Sequence, residues 1–196
     1  MRNPIHKRLE NLETWQHITF MACLCERMLP NFQLFCQIVE QEENGKLYQN
    51  ILNLVWEHLT VKSAKINFEN QLEKLENIIP DLNEHQFYGA LPAADACEAL
   101  SELLHTLIAG SSLEQAIKIS QLSLQTVATF LEQKTEQELS EKALKESEEI
   151  QQELDLQWLI YRTLNACEDR DIALILDLKN ELRSTGISNI GIETEQ

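Results

Sequence analysis

Apolar residues recur along this chain at spacings of three and four, the repeat of an amphipathic helix, from near its start to near its end. Ile5, Leu9 and Leu12 follow Pro4, which a first helical turn tolerates. A second helix is predicted from about Thr14 to Leu29. Ile18, Phe20, Met21, Leu24, Cys25 and Met28 fill a broad face of it, with Gln16, Thr19 and Glu26 on the other side. So wide an apolar face predicts a central helix with neighbours on several sides. Pro30 is read as its end or as the start of the next helix, since proline suits only a first turn. A third helix carries Phe32, Phe35, Cys36 and Val39, and Asn44–Gly45 is read as the break after it. A fourth carries Leu47, Ile51, Leu54, Val55 and His58, and a fifth runs from about Asn67 to Ile79.

Residues 81–91 read as a loop. Pro92 then opens a strong helix to Ala109, stopped by Gly110. Ser112 and Gln115 have the spacing of a capping box, and the helix they start carries Leu113, Ile117, Leu124, Val127 and Leu131. From Glu132 to Asp155 nine acidic residues stand against three lysines, which predicts a solvated helical projection with a break near Thr135–Ser140. A last long helix begins near Glu149 and carries Leu154, Trp158, Tyr161, Leu164 and Cys167. The charged run Glu168–Asp171 interrupts it before the pattern resumes to Leu182. Gly186 is read as its cap. The tail 186–196 keeps Ile187, Ile190 and Ile192 and is predicted to dock on the body. The expected fold is all-α: a compact multihelical bundle around a central apolar helix, one domain over residues 1–196.

Composition agrees with this picture. Five Gly and four Pro in 196 residues are too few for the turns of a sheet-rich protein of this length. The 43% hydrophobic content is enough for a core and argues against disorder. Charge narrows the partners. With 32 acidic and 16 basic side chains the chain carries −16, which disfavours direct binding to nucleic acid or to anionic membrane and favours a basic protein partner. The longest apolar run, Ile18 to Cys25, is too short to cross a bilayer. Arg2, Lys7 and Arg8 precede no apolar leader core. Five cysteines at irregular spacings fit no disulfide framework, so reduced thiols in a cytoplasmic setting are expected.

The segment from Trp15 to Met28 (Trp-Gln-His-Ile-Thr-Phe-Met-Ala-Cys-Leu-Cys-Glu-Arg-Met), followed by Pro30–Asn31, resembles the YjaG-like family of uncharacterised bacterial proteins. So do Gln71–Lys74, Asp95–Cys97, Ala99–Leu103 and the ending Ser188-Asn-Ile-Gly-Ile192. The resemblance covers essentially the whole chain. It implies a compact multihelical domain and brings no catalytic residues to carry over.

The motifs of chemistry are sparse. Glu102 and His105 form one Glu-x-x-His pair, in a polar stripe with Asp95 and Glu98, but the second pair that a di-metal bundle needs is absent. Cys23 and Cys25 lie roughly 200° apart on a helix and do not chelate one ion there. No metal or cofactor is therefore expected, and the scattered glycines (45, 89, 110, 186 and 191) form no phosphate loop. His17 falls on the apolar side of the second helix, where a neutral core histidine or a ligand-facing base is expected. Arg27, Arg162 and Arg170 have no acidic residue three or four positions away, so any partners they have are tertiary. The sharpest site expectation is a ligand-binding polar meeting of the second and last helices, with Glu26 and Arg27 facing Glu168 and Arg170, and His17 nearby.

Function follows from this only as a class. A non-enzymatic helical protein that binds another protein or a second copy of itself, through a groove or through 132–155, is the leading expectation. A small-ligand site or enzyme near His17, Glu26 and Arg27 is the alternative. An acidic mimic of nucleic acid is a third.

Overall fold

Nine helices make up the fold among the described residues, 3–193, of this computed structural model. They are α1 (Ile5–Leu9), α2 (Thr14–Ile38), α3 (Glu42–Thr60), α4 (Phe68–Glu76), α5 (Ala90–Ala109), α6 (Leu113–Thr135), α7 (Glu141–Glu146), α8 (Glu148–Asn165) and α9 (Ile172–Thr185). The only pairing of extended backbone among those residues is an isolated bridge between Ile187 and Glu193. Residues 1–2, and residues 194–196 of the expected docked tail, lie outside the described part.

α2 is the axis of the bundle. It packs against α3, α5, α6, α8 and α9, and its residues from Gln16 to Glu26 are all buried. The polar side expected for Gln16, Thr19 and Glu26 therefore does not face water; neighbours enclose the helix all round. Thr19 returns its hydroxyl to the Trp15 carbonyl at 2.8 Å, so it is buried without an unpaired donor.

Two breaks fall elsewhere than the sequence predicts. Pro30 does not end α2, which runs on to Ile38. The ring removes the N–H that would reach Glu26 O, and the next carbonyl along, Arg27 O, accepts the backbone N–H of Asn189 at 3.3 Å. Gly45 does not break a helix either. It is buried inside α3 beside Gln33 and Cys36 of α2, where its bareness lets the two helices approach. The true break is at Glu40, which takes a left-handed backbone (φ +56°) with a side chain that gives no signal of it.

Most other elements follow local rules. Asn67 caps α4 by accepting from Asn70 N at 2.9 Å. Gly110 ends α5 at φ +80°, a conformation that suits glycine. The charged run Glu168–Asp171 is a full break rather than a kink. Asp171 caps α9 there by accepting from Ala173 N (2.9 Å) and Leu174 N (3.2 Å). In the acidic segment α7 has no buried residue. Leu139 and Leu144 still pack on a second, smaller core of Leu124, Val127, Leu131, Ile150 and Ile190.

The tail is a tight turn. Ser188 N donates to Ile192 O (2.8 Å), and Ser188 Oγ accepts from Ile190 N (3.2 Å) and Ile192 N (3.0 Å). Gly191 makes the turn at φ +80°. Ser188, Asn189 and Ile190 are buried against the body.

Candidate functional site

The structure divides the predicted site residues among three places. His17 sits on the first turns of α2, with its ring buried. Its Nε2 lies 2.8 Å from Leu9 O and its Nδ1 lies 2.9 Å from Ser112 Oγ. A carbonyl only accepts, so Nε2 carries the proton, and the neutral ring's Nδ1 accepts the Ser112 hydroxyl. Burial pushes the His17 pKa below the usual 6.5, and the Leu9 hydrogen bond opposes this. Ser112 stands at the start of α6 yet makes no capping bond to it. The expected capping box with Gln115 is not formed, because the hydroxyl is turned to His17; Gln115 bonds Ser111 instead, at 3.1 Å.

Arg170 joins His17 at this place. Both line an open cleft of about 620 Å³ with Glu13, Trp15, His58 and Ser112. Arg170 Nη2 donates to the last carbonyls of α3, those of His58 (2.8 Å) and Leu59. Among the described residues no carboxylate forms a salt bridge with it. Glu168 lies just beyond, beside Lys62 and Asp169 in a shallow surface hollow.

Glu26 and Arg27 are elsewhere, a few turns along α2. Glu26 has 2% of its side chain exposed. Its Oε1 accepts from Trp56 Nε1 (2.7 Å) and from Arg183 Nε (2.9 Å) and Nη2. Arg183 also donates to Asn53 Oδ1 at 2.6 Å. Glu26 and Arg183 border an open cleft of about 400 Å³ lined also by Gln33, Lys46 and Gln49. The expected meeting of Glu26 and Arg27 with Glu168 and Arg170 is thus replaced. Glu26 faces α3 and α9, and Arg27 faces α8 and the tail.

Arg27 Nε lies 3.4 Å from Glu153 Oε2, and its Nη1 donates to Ile187 O. Glu153 is fully buried and anchors a chain of hydrogen bonds through the body. Its Oε1 accepts from Ser123 Oγ (2.7 Å) and Gln157 Nε2 (3.2 Å). Gln157 Oε1 accepts from Ser120 Oγ (2.7 Å) and Asn3 Nδ2 (3.2 Å). On the other side Asn189 Nδ2 donates to Ser123 O and Oγ, both at 3.1 Å, and Asn31 Nδ2 donates to Asn189 Oδ1 at 2.9 Å. Among the described residues, all but one of the buried side-chain polar atoms in this network find a partner, Asn31 Oδ1 being the exception, and a network so nearly satisfied fixes one packing arrangement. Spacing marks Ser112 only as a helix cap and gives Glu153, Gln157 and Arg183 no site role, because their partners lie far away in the chain. The one available signal was polar residues at core-facing positions of otherwise apolar helices.

The remaining motifs resolve as packing. Lys118 bridges Glu98 (3.1 Å) and Glu102 (2.7 Å), and Asp95 accepts the Thr126 hydroxyl at 2.7 Å. Cys23 and Cys25 are buried, and burial raises both thiols far above their ordinary range. Among the described residues no three His, Cys, Asp or Glu side chains converge as metal ligands.

His6, His17 and His58 all have their pKa lowered from 6.5, mainly by burial. In the unfolded chain they take up protons near pH 6.5, whereas the native state resists doing so. Stability is therefore expected to fall as pH drops below about 6.5 and to level off below the native values. Urea titrations from pH 8 to 5 test this. His17→Gln is expected to flatten the profile, and a profile unchanged by that substitution contradicts it.

These features define a class first: an all-α bundle threaded by a central apolar helix and locked by a buried polar network that ends in the tail. The chain belongs to the DUF416 family, whose model, described as "Protein of unknown function (DUF416)", matches residues 4–193. It is 65% identical over its full length and that of an uncharacterised protein of Haemophilus influenzae. It is 52% identical to the uncharacterised protein YjaG of Escherichia coli, again over the whole of both chains. Among solved structures it is similar to a DUF416 family protein from Shewanella baltica, with a TM-score of 0.90 and 31% identity over 98% of this chain and 100% of that one. Among the described residues no helix is long and apolar enough to cross a membrane.

Proposed function

We propose that this protein is a cytoplasmic helical adaptor that holds a basic amphipathic helix of another protein in the groove between α8 and α9, a task that needs no catalysis at that groove. The observation that carries the reading is the groove itself. α8 and α9 both pack on α2, and apolar side chains line the space left between them. Leu156, Leu159 and Ile160 form one wall and Leu178 and Leu182 the other, with Arg27 and Thr185 at one end. Leu159 is 50% exposed at its centre. Exposed Asp155, Asp177 and Glu181 stand on the same two helices. Apolar walls with acidic flanks suit a helix that presents leucine-like anchors at i, i+3 and i+4 between lysines or arginines. The net charge of −16 favours the same partner and draws it in. The five free cysteines, four of them buried, fit a reducing compartment.

A fluorescent helical peptide with one leucine face and one lysine face is the direct probe. Saturable binding to the full-length protein is expected, weakening with salt and lost in Leu159→Asp. A peptide with glutamates in place of the lysines is expected not to bind. Binding that survives Leu159→Asp, or no binding at low salt, overturns the reading. So does a dimer in sedimentation that Leu159→Asp dissolves, because the groove then serves a second copy.

A further inference from the structure

A different feature points to chemistry at the other end of α2. Ser112 is a partly exposed serine whose hydroxyl donates to the free nitrogen of a neutral histidine, in a cleft open to solvent. His17 is held from behind through Nε2–H to Leu9 O, which fixes both its tautomer and its orientation. Arg170 lines the same cleft, and among the described residues no carboxylate forms a salt bridge with it. We propose that Ser112 and His17 are a nucleophile and base that hydrolyse small esters carrying a negative group, with Arg170 holding that group.

The step balances with water alone. Ser112 Oγ bonds to the ester carbonyl carbon while its proton passes to His17 Nδ1, and the carbonyl electron pair moves to oxygen. The tetrahedral species collapses, the bond to the alcohol oxygen breaks, and that oxygen takes the proton from Nδ1. Water then repeats the sequence on acyl-Ser112, releasing the carboxylic acid and restoring the hydroxyl. Because Ser112 does not cap α6, the first-turn N–H groups of that helix are not engaged by it and lie at the same helix end as the nucleophile. The class is ester rather than amide for a physical reason. The group behind His17 is a neutral carbonyl, not a carboxylate, so the imidazolium is weakly stabilised, and only an easily displaced leaving group suits it. Burial keeps His17 unprotonated near neutral pH, as a base requires.

The test uses the full-length protein in two measurements. A fluorophosphonate probe followed by peptide mass spectrometry is expected to label Ser112, and it needs no variant. The protein is expected to hydrolyse p-nitrophenyl hemisuccinate faster than p-nitrophenyl acetate. Ser112→Ala and His17→Gln are each expected to lower the hemisuccinate rate by about 100-fold or more. Arg170→Gln is expected to raise KM for the hemisuccinate and leave the acetate unchanged. Ser111→Ala serves as the control. Leu159→Asp is also expected to leave these rates alone, so this proposal and the adaptor reading stand or fall separately. Absence of label on Ser112, or equal hydrolysis by a folded Ser112→Ala, overturns the proposal and leaves the hydroxyl as a support for His17.

Discussion

Arg183→Met is expected to lower the unfolding free energy by about 3–5 kcal/mol, the usual cost of removing one partner from a buried ion pair. The Glu26 carboxylate is almost wholly out of water and takes three hydrogen bonds on one oxygen, two of them from Arg183. Without Arg183 the charge keeps only the Trp56 indole, and Asn53 loses its donor as well. Neutralising the carboxylate tests the cause. Glu26→Gln combined with Arg183→Met is expected to recover much of the loss, because an amide oxygen still accepts from Trp56 and carries no charge to desolvate. Urea denaturation followed by circular dichroism measures both. If Arg183→Met alone costs less than about 1 kcal/mol, the pair is a surface contact in effect and the buried assignment fails.

The second large effect lies beyond the proline. Phe32→Ala is expected to cost about 3–5 kcal/mol, the range for emptying a fully buried aromatic site. In a chain of this size that lowers Tm by on the order of 10 °C. Phe32 has no exposed surface, and its ring lies 5.3 Å from that of Tyr48, whose hydroxyl donates to Ala96 O at 3.0 Å. The cavity left therefore touches α2, α3 and α5 together. Ile38→Ala, one and a half turns on but 55% exposed, is expected to change stability by less than about 0.5 kcal/mol. A small loss for Phe32→Ala contradicts the continuity of the core past Pro30.

What the sequence disclosed and what it hid separate along one line. Periodicity placed the helices and identified α2 as central, because apolar spacing is a local property. Caps written in one side chain, such as Gly110, were equally plain. Pro30 and Gly45 misled because tertiary packing overrode a rule about local backbone: the buried positions Phe32, Phe35 and Cys36 carry α2 past the proline, and Gln33 and Cys36 close in on the bare glycine. The same holds for the site residues. Arg27 and Arg170 found partners elsewhere in the fold, as the absent local carboxylates implied: Glu153 for Arg27 and the carbonyls of His58 and Leu59 for Arg170, whereas Arg162 lies over the Trp158 ring of its own helix. Which partner each would take was not written in spacing. Glu26 lies opposite the apolar positions of its helix and is nevertheless buried, because burial on every side of α2 depends on its five neighbouring helices.

The hydrogen-bonded chain from Asn3 through Gln157, Glu153 and Ser123 to Asn189 joins the two ends of the polypeptide inside one body. Its consequence is temporal. Until residues 188–190 have left the ribosome, Ser123 O lacks the donor that Asn189 brings, and the small core lacks Ile190. Helices made earlier can pack on α2 first, but this lock closes only after those residues emerge. Its closure is therefore among the late steps of folding.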